Sequence, residues 1–267
     1  MGGGVSTETK AGQNKALELD DDQRRVVDQD DGHLVALGGP GTGKTTVLIE
    51  RFVRLATQPG CSADRILFLV PNRAQKMALQ DRLTRRLLFE EGLEALIEIP
   101  VYTWHGLANH LVTRHYDRLA YPEPPVLLTS PEHWSDVRDA LAEEPTANWP
   151  HHSYLLRNRG FVDEVVDFCI RAEQRLLDGG QLDALAQARP AWADIVRFFK
   201  AHRNRLRDRS RVDYPTLLID ATELIANHDD VRGELHHRFQ HILVDDGQEL
   251  ALVQQRMLHF LSGPGEG

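Results

Sequence analysis

The stretch Gly38-Gly39-Pro40-Gly41-Thr42-Gly43-Lys44-Thr45 decides how this chain is read. It fits G-x-x-x-x-G-K-[ST], and its surroundings fit as well. His33–Leu37 before it reads as a short buried strand, and Thr46–Leu55 after it as an amphipathic helix. A run of phosphates must lie against several backbone N–H groups, and glycine lets the backbone come that close. The helix beginning near Gly43 aims the positive end of its dipole at the same anion. In such a loop the lysine reaches the β- and γ-phosphates and the Thr hydroxyl binds Mg²⁺, roles that fall here to Lys44 and Thr45. Gly38, Gly39, Pro40, Gly41, Thr42, Gly43, Lys44, Thr45 and Thr46 are therefore the expected nucleotide-binding residues.

Sheet and helix alternate outward from this loop. Leu19–Val27 suggests a short helix with an acidic N-cap, in which Gln23 offers a donor and an acceptor suited to the edge of adenine. A surface helix residue is the competing reading of Gln23. Arg65–Val70 reads as a second buried strand, Asn72–Leu88 as a helix and Ile97–Thr103 as a third strand, running into Thr103-Trp104-His105-Gly106-Leu107-Ala108. The alternation predicts an α/β fold, a doubly wound parallel sheet whose ligands gather at the carboxyl ends of the strands. The segments after Leu37, Val70 and Tyr102 should then line one face.

From about Leu111 to Leu235 the apolar residues recur at helical spacing (Phe161, Val165, Phe168; Trp192, Val196, Phe199), and strand-like alternation disappears. Pro- and Gly-rich breaks cut this region into short helices, an all-α insertion. Within it, Arg197–Arg211 carries six arginines and Lys200 against one aspartate, either a phosphate-contacting face or a solvated helix end. Sheet character returns at Phe239–Val244, followed by Asp245-Asp246-Gly247-Gln248-Glu249. An acidic strand tip is the second half of a phosphate-loop site. There Asp245 would hold Mg²⁺ and a neighbouring carboxylate would orient the attacking water. Leu252–Leu261 reads as an amphipathic helix.

The bulk numbers are ordinary: 267 residues, 41% hydrophobic, 27% charged. They allow one large or two modest domains. The apolar runs are strand-length, so no membrane partner is expected. No secretory start is visible, which points to the cytoplasm. Cys61 and Cys169 lack metal-type spacing and read as reduced residues. A net charge of −9 argues against whole-surface affinity for nucleic acid but not against a local groove. Residues 1–16, rich in Gly, Ser, Thr and Lys, read as a disordered tail.

In this order the segments resemble the first half of a superfamily 1A helicase of the UvrD/Rep/PcrA kind. Leu19-x-x-x-Gln23-x-x-Val26-Val27 resembles the Q motif, Gly38–Thr45 motif I, and Asn72-Arg73-Ala74 with Met77 motif Ia. Thr103–Ala108 resembles T-F-H-S-L-A, Asp213-Tyr214-Pro215-x-Leu217-Leu218 resembles D-F-x-x-L-L, and Val244–Glu249 with Gln254 resembles V-D-E-x-Q-D and its following Gln. The resemblance implies a P-loop NTPase (RecA-like) domain 1A over 17–112 and 235–267, with a helical 1B-type insertion over 113–234. It implies ATP and Mg²⁺ as cofactors, with Gln23 on adenine, Lys44 on the phosphates, and Thr45 and Asp245 on the metal. Asp246 stands where the family has its catalytic glutamate and Gln248 where it senses the γ-phosphate. Asn72, Arg73, Thr103, Trp104 and His105 would lie along a single-stranded DNA track. The expected function is the ATP-binding part of a DNA helicase serving repair or recombination.

Two departures stand out. Asp246 is one methylene shorter than glutamate, whereas water activation needs a carboxylate about 2.6–3.2 Å from the water. That pair of aspartates, with the Gly38–Lys44 loop, looks like AdnA-like subunits of actinobacterial helicase–nucleases. The match also stops before motifs III to VI. The second RecA-like domain and its arginine fingers, worth on the order of 10³–10⁵ in rate, would come in cis or from a partner subunit. The Gly263–Gly267 end suggests a fragment. The alternatives are a degenerate helicase-like module that grips DNA or a partner without turnover, and an unrelated phosphate-loop kinase.

Overall fold

The computed structural model describes residues 19–30, 32–92 and 98–263. The expected tail, Ile97 and the residues after Gly263 fall outside that range. In chain order the elements are α1 (Asp21–Asp28), α2 (Lys44–Thr57), β1 (Ile66–Val70), α3 (Arg73–Arg85), β2 (Val101–Thr103), α4 (Trp104–Arg114), β3 (Val126–Leu127), α5 (Ser130–Glu143), α6 (Arg159–Gln174), α7 (Gly179–Ala188), α8 (Ala193–Asp208), β4 (Arg211–Val212), α9 (Tyr214–Asn227), α10 (Asp229–Arg238), β5 (His241–Val244) and α11 (Leu252–Ser262).

β1, β2 and β5 form a parallel sheet in the order β2-β1-β5. Every residue of β1 is buried, as its unbroken run of apolar side chains requires of a central parallel strand. Its side chains alternate between two cores. Leu67 and Leu69 pack with α4, α9 and α11, while Ile66, Phe68 and Val70 pack with α2 and α3. The pairing Leu69↔Val244 and Val70↔Thr103 brings the carboxyl ends of all three strands level.

The strand expected over His33–Leu37 does not form. Leu34, Val35 and Leu37 are 41%, 78% and 90% exposed, and among the described residues the segment joins no ladder. A strand is held by its neighbour's N–H and C=O groups. Among the described residues, β5 pairs with β1 on one side and with nothing on the other.

Between β2 and β5 the chain is helical apart from the two-residue strands β3 and β4. A third core, built around Val137, Trp149, Phe161, Val165 and Phe198, is formed by α5 to α8 together with the connection between α5 and α6. It lies within the expected 113–234 insertion. Leu217 and Leu224 of α9 and Val231 of α10 join the core that contains Leu67 and Leu69, with α9 packed against α4 and α11.

The helical core also contains polar groups. Buried Asp194 accepts from the His151 backbone N–H at 3.0 Å and faces the rings of His151 and His152. His202 stacks between His133 and Phe198, and neither of its ring nitrogens has a hydrogen-bond partner among the described residues. Burial pushes its pKa down to about 4, against the opposing pull of Asp136, with His133 and Arg205 adding to the fall. A neutral buried histidine makes the folded state bind fewer protons than the unfolded chain between pH 6.5 and 4. Stability attributable to His202 is thus present above pH 6.5 and falls as pH drops, with a slope approaching about 1.4 kcal/mol per pH unit. Chemical denaturation across this window should show a shallower acid slope in His202→Phe than in the wild type. Identical slopes would mean that His202 does not set acid stability.

Candidate functional site

The loop after residue 37 is shaped by its own side chains. Gly43 precedes α2 with φ +81°, and a Cβ there would lie 3.1 Å from Gln23 Nε2. A Cβ on Gly38 would meet Thr42 Oγ1 at 2.5 Å, so neither position tolerates a side chain without rearrangement. Thr42 Oγ1 donates to the Gly39 carbonyl at 2.9 Å. Lys44 Nζ donates to the carbonyls of Gly38 and Gly39, each at 2.9 Å, which holds the ammonium over the loop. Gln23 closes the side: its Nε2 donates to the Thr42 carbonyl at 3.1 Å, while its Oε1 accepts from the Asp20 N–H in a capping box. Gln23 is thus engaged with the loop rather than only solvated.

The acidic strand tip meets this loop. Thr45 Oγ1 donates to Asp245 Oδ2 at 2.9 Å across 200 residues of sequence. Asp245 is 4% exposed at the end of β5. Among the described residues no group of three or more His, Cys, Asp and Glu side chains gathers to hold a metal ion. A hydroxyl beside one carboxylate supplies two hard oxygen donors, the set suited to a Mg²⁺ ion that takes its remaining oxygens from phosphate and water.

Asp246 follows in a left-handed conformation, φ +53°. Its carboxylate lies between two amides: Gln75 Nε2 donates to Oδ2 and Gln248 Nε2 to Oδ1, both at 3.3 Å. Gln75, on the first turn of α3, was not singled out by the sequence. Only its position three residues after the Asn72 cap marks it.

Asn72 and Arg73 open α3 beside this cluster, and both are exposed. Thr103 caps α4 by accepting from the Gly106 N–H at 3.0 Å. His105 sits edge-on to Tyr214 with ring centres 5.3 Å apart, and burial pushes its pKa below 6.5. Tyr214, itself partly exposed, adds an aromatic face that the sequence reading did not assign to the site. Trp104 requires a correction. It is 1% exposed and packed with Leu107 and Leu111, so its ring offers no surface to a strand.

The arginine-rich stretch resolves toward internal pairing. Arg197 meets Glu144, Lys200 meets Asp183 and Arg207 meets Asp220, each at 2.7 Å, and Arg211 meets Asp136 at 3.0 Å. A cleft of about 530 Å³ beside Arg203, Arg207 and Arg256 contains none of the expected site residues.

Residues 19–266 match the family model described as UvrD/REP helicase N-terminal domain. The chain belongs to that family. It is 23% identical over 247 residues to DNA helicase II of Escherichia coli, covering 92% of this chain and 32% of that protein. It is 24% identical to a probable DNA helicase of Mycoplasma pneumoniae, covering 91% and 44%, and 24% identical to DNA helicase IV of E. coli, covering 93% and 38%. The chain therefore spans about a third to under half of the relatives it matches. Among the described residues no helix is long and apolar enough to cross a membrane.

Trp104→Ala should cost about 3–5 kcal/mol of stability, as expected for a large ring removed from a core, with little change in strand affinity. A variant of unaltered stability that lost strand binding would return the ring to the strand track.

Proposed function

We propose that this chain is the ATP-binding, N-terminal part of an ATP-dependent DNA helicase or translocase. In this reading the sheet is a RecA-like P-loop domain and the α5–α8 core is a 1B-type insertion. One observation carries the reading: the Thr45–Asp245 contact, which joins the glycine loop to the acidic strand tip. Lys44 leaves the Gly38 and Gly39 carbonyls to bind the β- and γ-phosphates. Gln23 reads adenine from its place against the loop. Thr45 and Asp245 hold Mg²⁺, which when bound neutralises phosphate charge. Asp246 orients and deprotonates the attacking water, and Gln248 reports on the γ-phosphate.

Asn72, Arg73, Thr103 and His105 take the single-stranded DNA along the same edge of the sheet. Strand binding and hydrolysis thereby share one rim. The transition-state cations come from a second RecA-like domain or a partner subunit. Leu34, Val35 and Leu37 are exposed, and among the described residues both outer strands, β2 and β5, pair only with β1, which leaves apolar surface and free strand edges for a further chain to cover.

The shorter arm of Asp246 favours a second reading, a module that grips DNA without turnover. Asp246→Glu separates the two: a large gain in hydrolysis supports degeneration, and no gain shows that aspartate suffices.

Lys44→Ala should weaken Mg–ATP binding at least about tenfold by calorimetry, the loss expected from one charge-assisted phosphate contact. Equal affinity in the variant would reject the site. Arg73→Ala should weaken binding of single strands irrespective of sequence and reduce the salt slope by about one. An unchanged slope would move the track elsewhere.

A further inference from the structure

Four side chains form a continuous path from the exposed start of α3 to the acidic strand tip. Asn72 Oδ1 accepts from the Gln75 backbone N–H at 2.9 Å, and Asn72 Nδ2 donates to Gln75 Oε1 at 2.9 Å. Gln75 Nε2 then donates to Asp246 Oδ2 at 3.3 Å, and Gln248 Nε2 donates to Asp246 Oδ1 at 3.3 Å. The amide orientations are not arbitrary. A backbone N–H can only donate, so it fixes Asn72 Oδ1 inward and turns Nδ2 toward Gln75. An ionised carboxylate can only accept, so the Gln75 amide must present its NH₂ to Asp246. Each end of the path sets the next group, and both ends agree.

We infer that Gln75 is a positioning residue that couples strand binding at the start of α3 to the placement of the Asp246 carboxylate. The inference rests on the function proposed above and extends it to regulation of the same site. Asn72 carries two N–H donors and uses one on Gln75, so a strand phosphate can accept from the other. A phosphate held there draws Asn72 and with it the Gln75 amide. Gln75 in turn moves the carboxylate that orients the water. The geometry assigns Gln75 no contact with substrate; it acts through Asp246.

The test uses the full-length protein that carries this chain, with saturating oligo-dT. Gln75→Ala should lower the DNA-stimulated kcat about tenfold, the scale of a misplaced catalytic group, while KM for ATP and Kd for the strand stay within about twofold. Gln75→Glu is the sharper variant. It still accepts from Asn72 and suits a helix N-terminus, which offsets repulsion from Asp246, so the thermal midpoint should stay close to that of the wild type. It cannot donate to Asp246 and sets a like charge beside it, so kcat should fall below that of the alanine variant. A structural role alone predicts the reverse order, with glutamate the milder change. Wild-type kcat in Gln75→Glu, or losses that track the thermal midpoint, would overturn the coupling. If Lys44→Ala abolishes ATP binding while Gln75→Ala keeps full stimulation, only the coupling fails. If Lys44→Ala binds ATP normally, the site reading itself fails.

Discussion

The contact between Thr45 and Asp245 is the constraint to which the rest of the molecule is fitted. A threonine hydroxyl on the first turn of α2 must meet a carboxylate at the tip of β5, although 200 residues separate them. Parallel pairing of β1 with both neighbours makes this cheap in entropy once the sheet exists. The register levels the ends of β2, β1 and β5, so every loop leaving that edge starts from the same plane. The helical region between β2 and β5 can be large because it leaves and re-enters the sheet at strands two positions apart. Its own core, around Trp149 and Phe198, gives it an independent reason to fold.

How much of this was legible in the sequence depends on whether the decisive partner was local. The helix after the glycine loop, the central strand and the final helix appear where periodicity and caps predict them, because their patterns report burial that the structure provides. The Asp20–Gln23 capping box is equally local. The His33–Leu37 segment shows the opposite case. Its composition is that of a buried strand, but composition cannot supply a neighbour, and without one the run stays unpaired and exposed. Trp104 failed for a related reason. A motif position fixes where a residue sits along α4, whereas the direction of its ring is set by Leu107, Leu111 and the rest of the core across the helix.

Charge was the least readable property. A run of arginines looks alike whether it faces phosphate or carboxylate, and the carboxylates that answer Arg197, Arg207 and Arg211 come from α5, its C-terminal cap and α9. The same holds for Gln75, which reads as an ordinary polar residue on the first turn of α3 until β5 places Asp246 beside it. In each case the informative partner lies outside the residue's own element, and only the packed structure brings it near.

The shortness of Asp246 looks different once its backbone is considered. Reach is set by where the Cα stands and which way Cβ points, as well as by the number of methylenes. Asp246 adopts a left-handed conformation with φ +53°, a region that aspartate enters more readily than most residues because its short polar side chain bonds locally. The Asp245 carboxylate accepts from the Asp246 N–H at 3.0 Å and helps to fix that turn. The turn redirects the side chain, and the amides of Gln75 and Gln248 then hold its two oxygens from opposite sides. The turn and the two glutamines together therefore hold the short acid in place, so arm length alone does not fix where its oxygens stand.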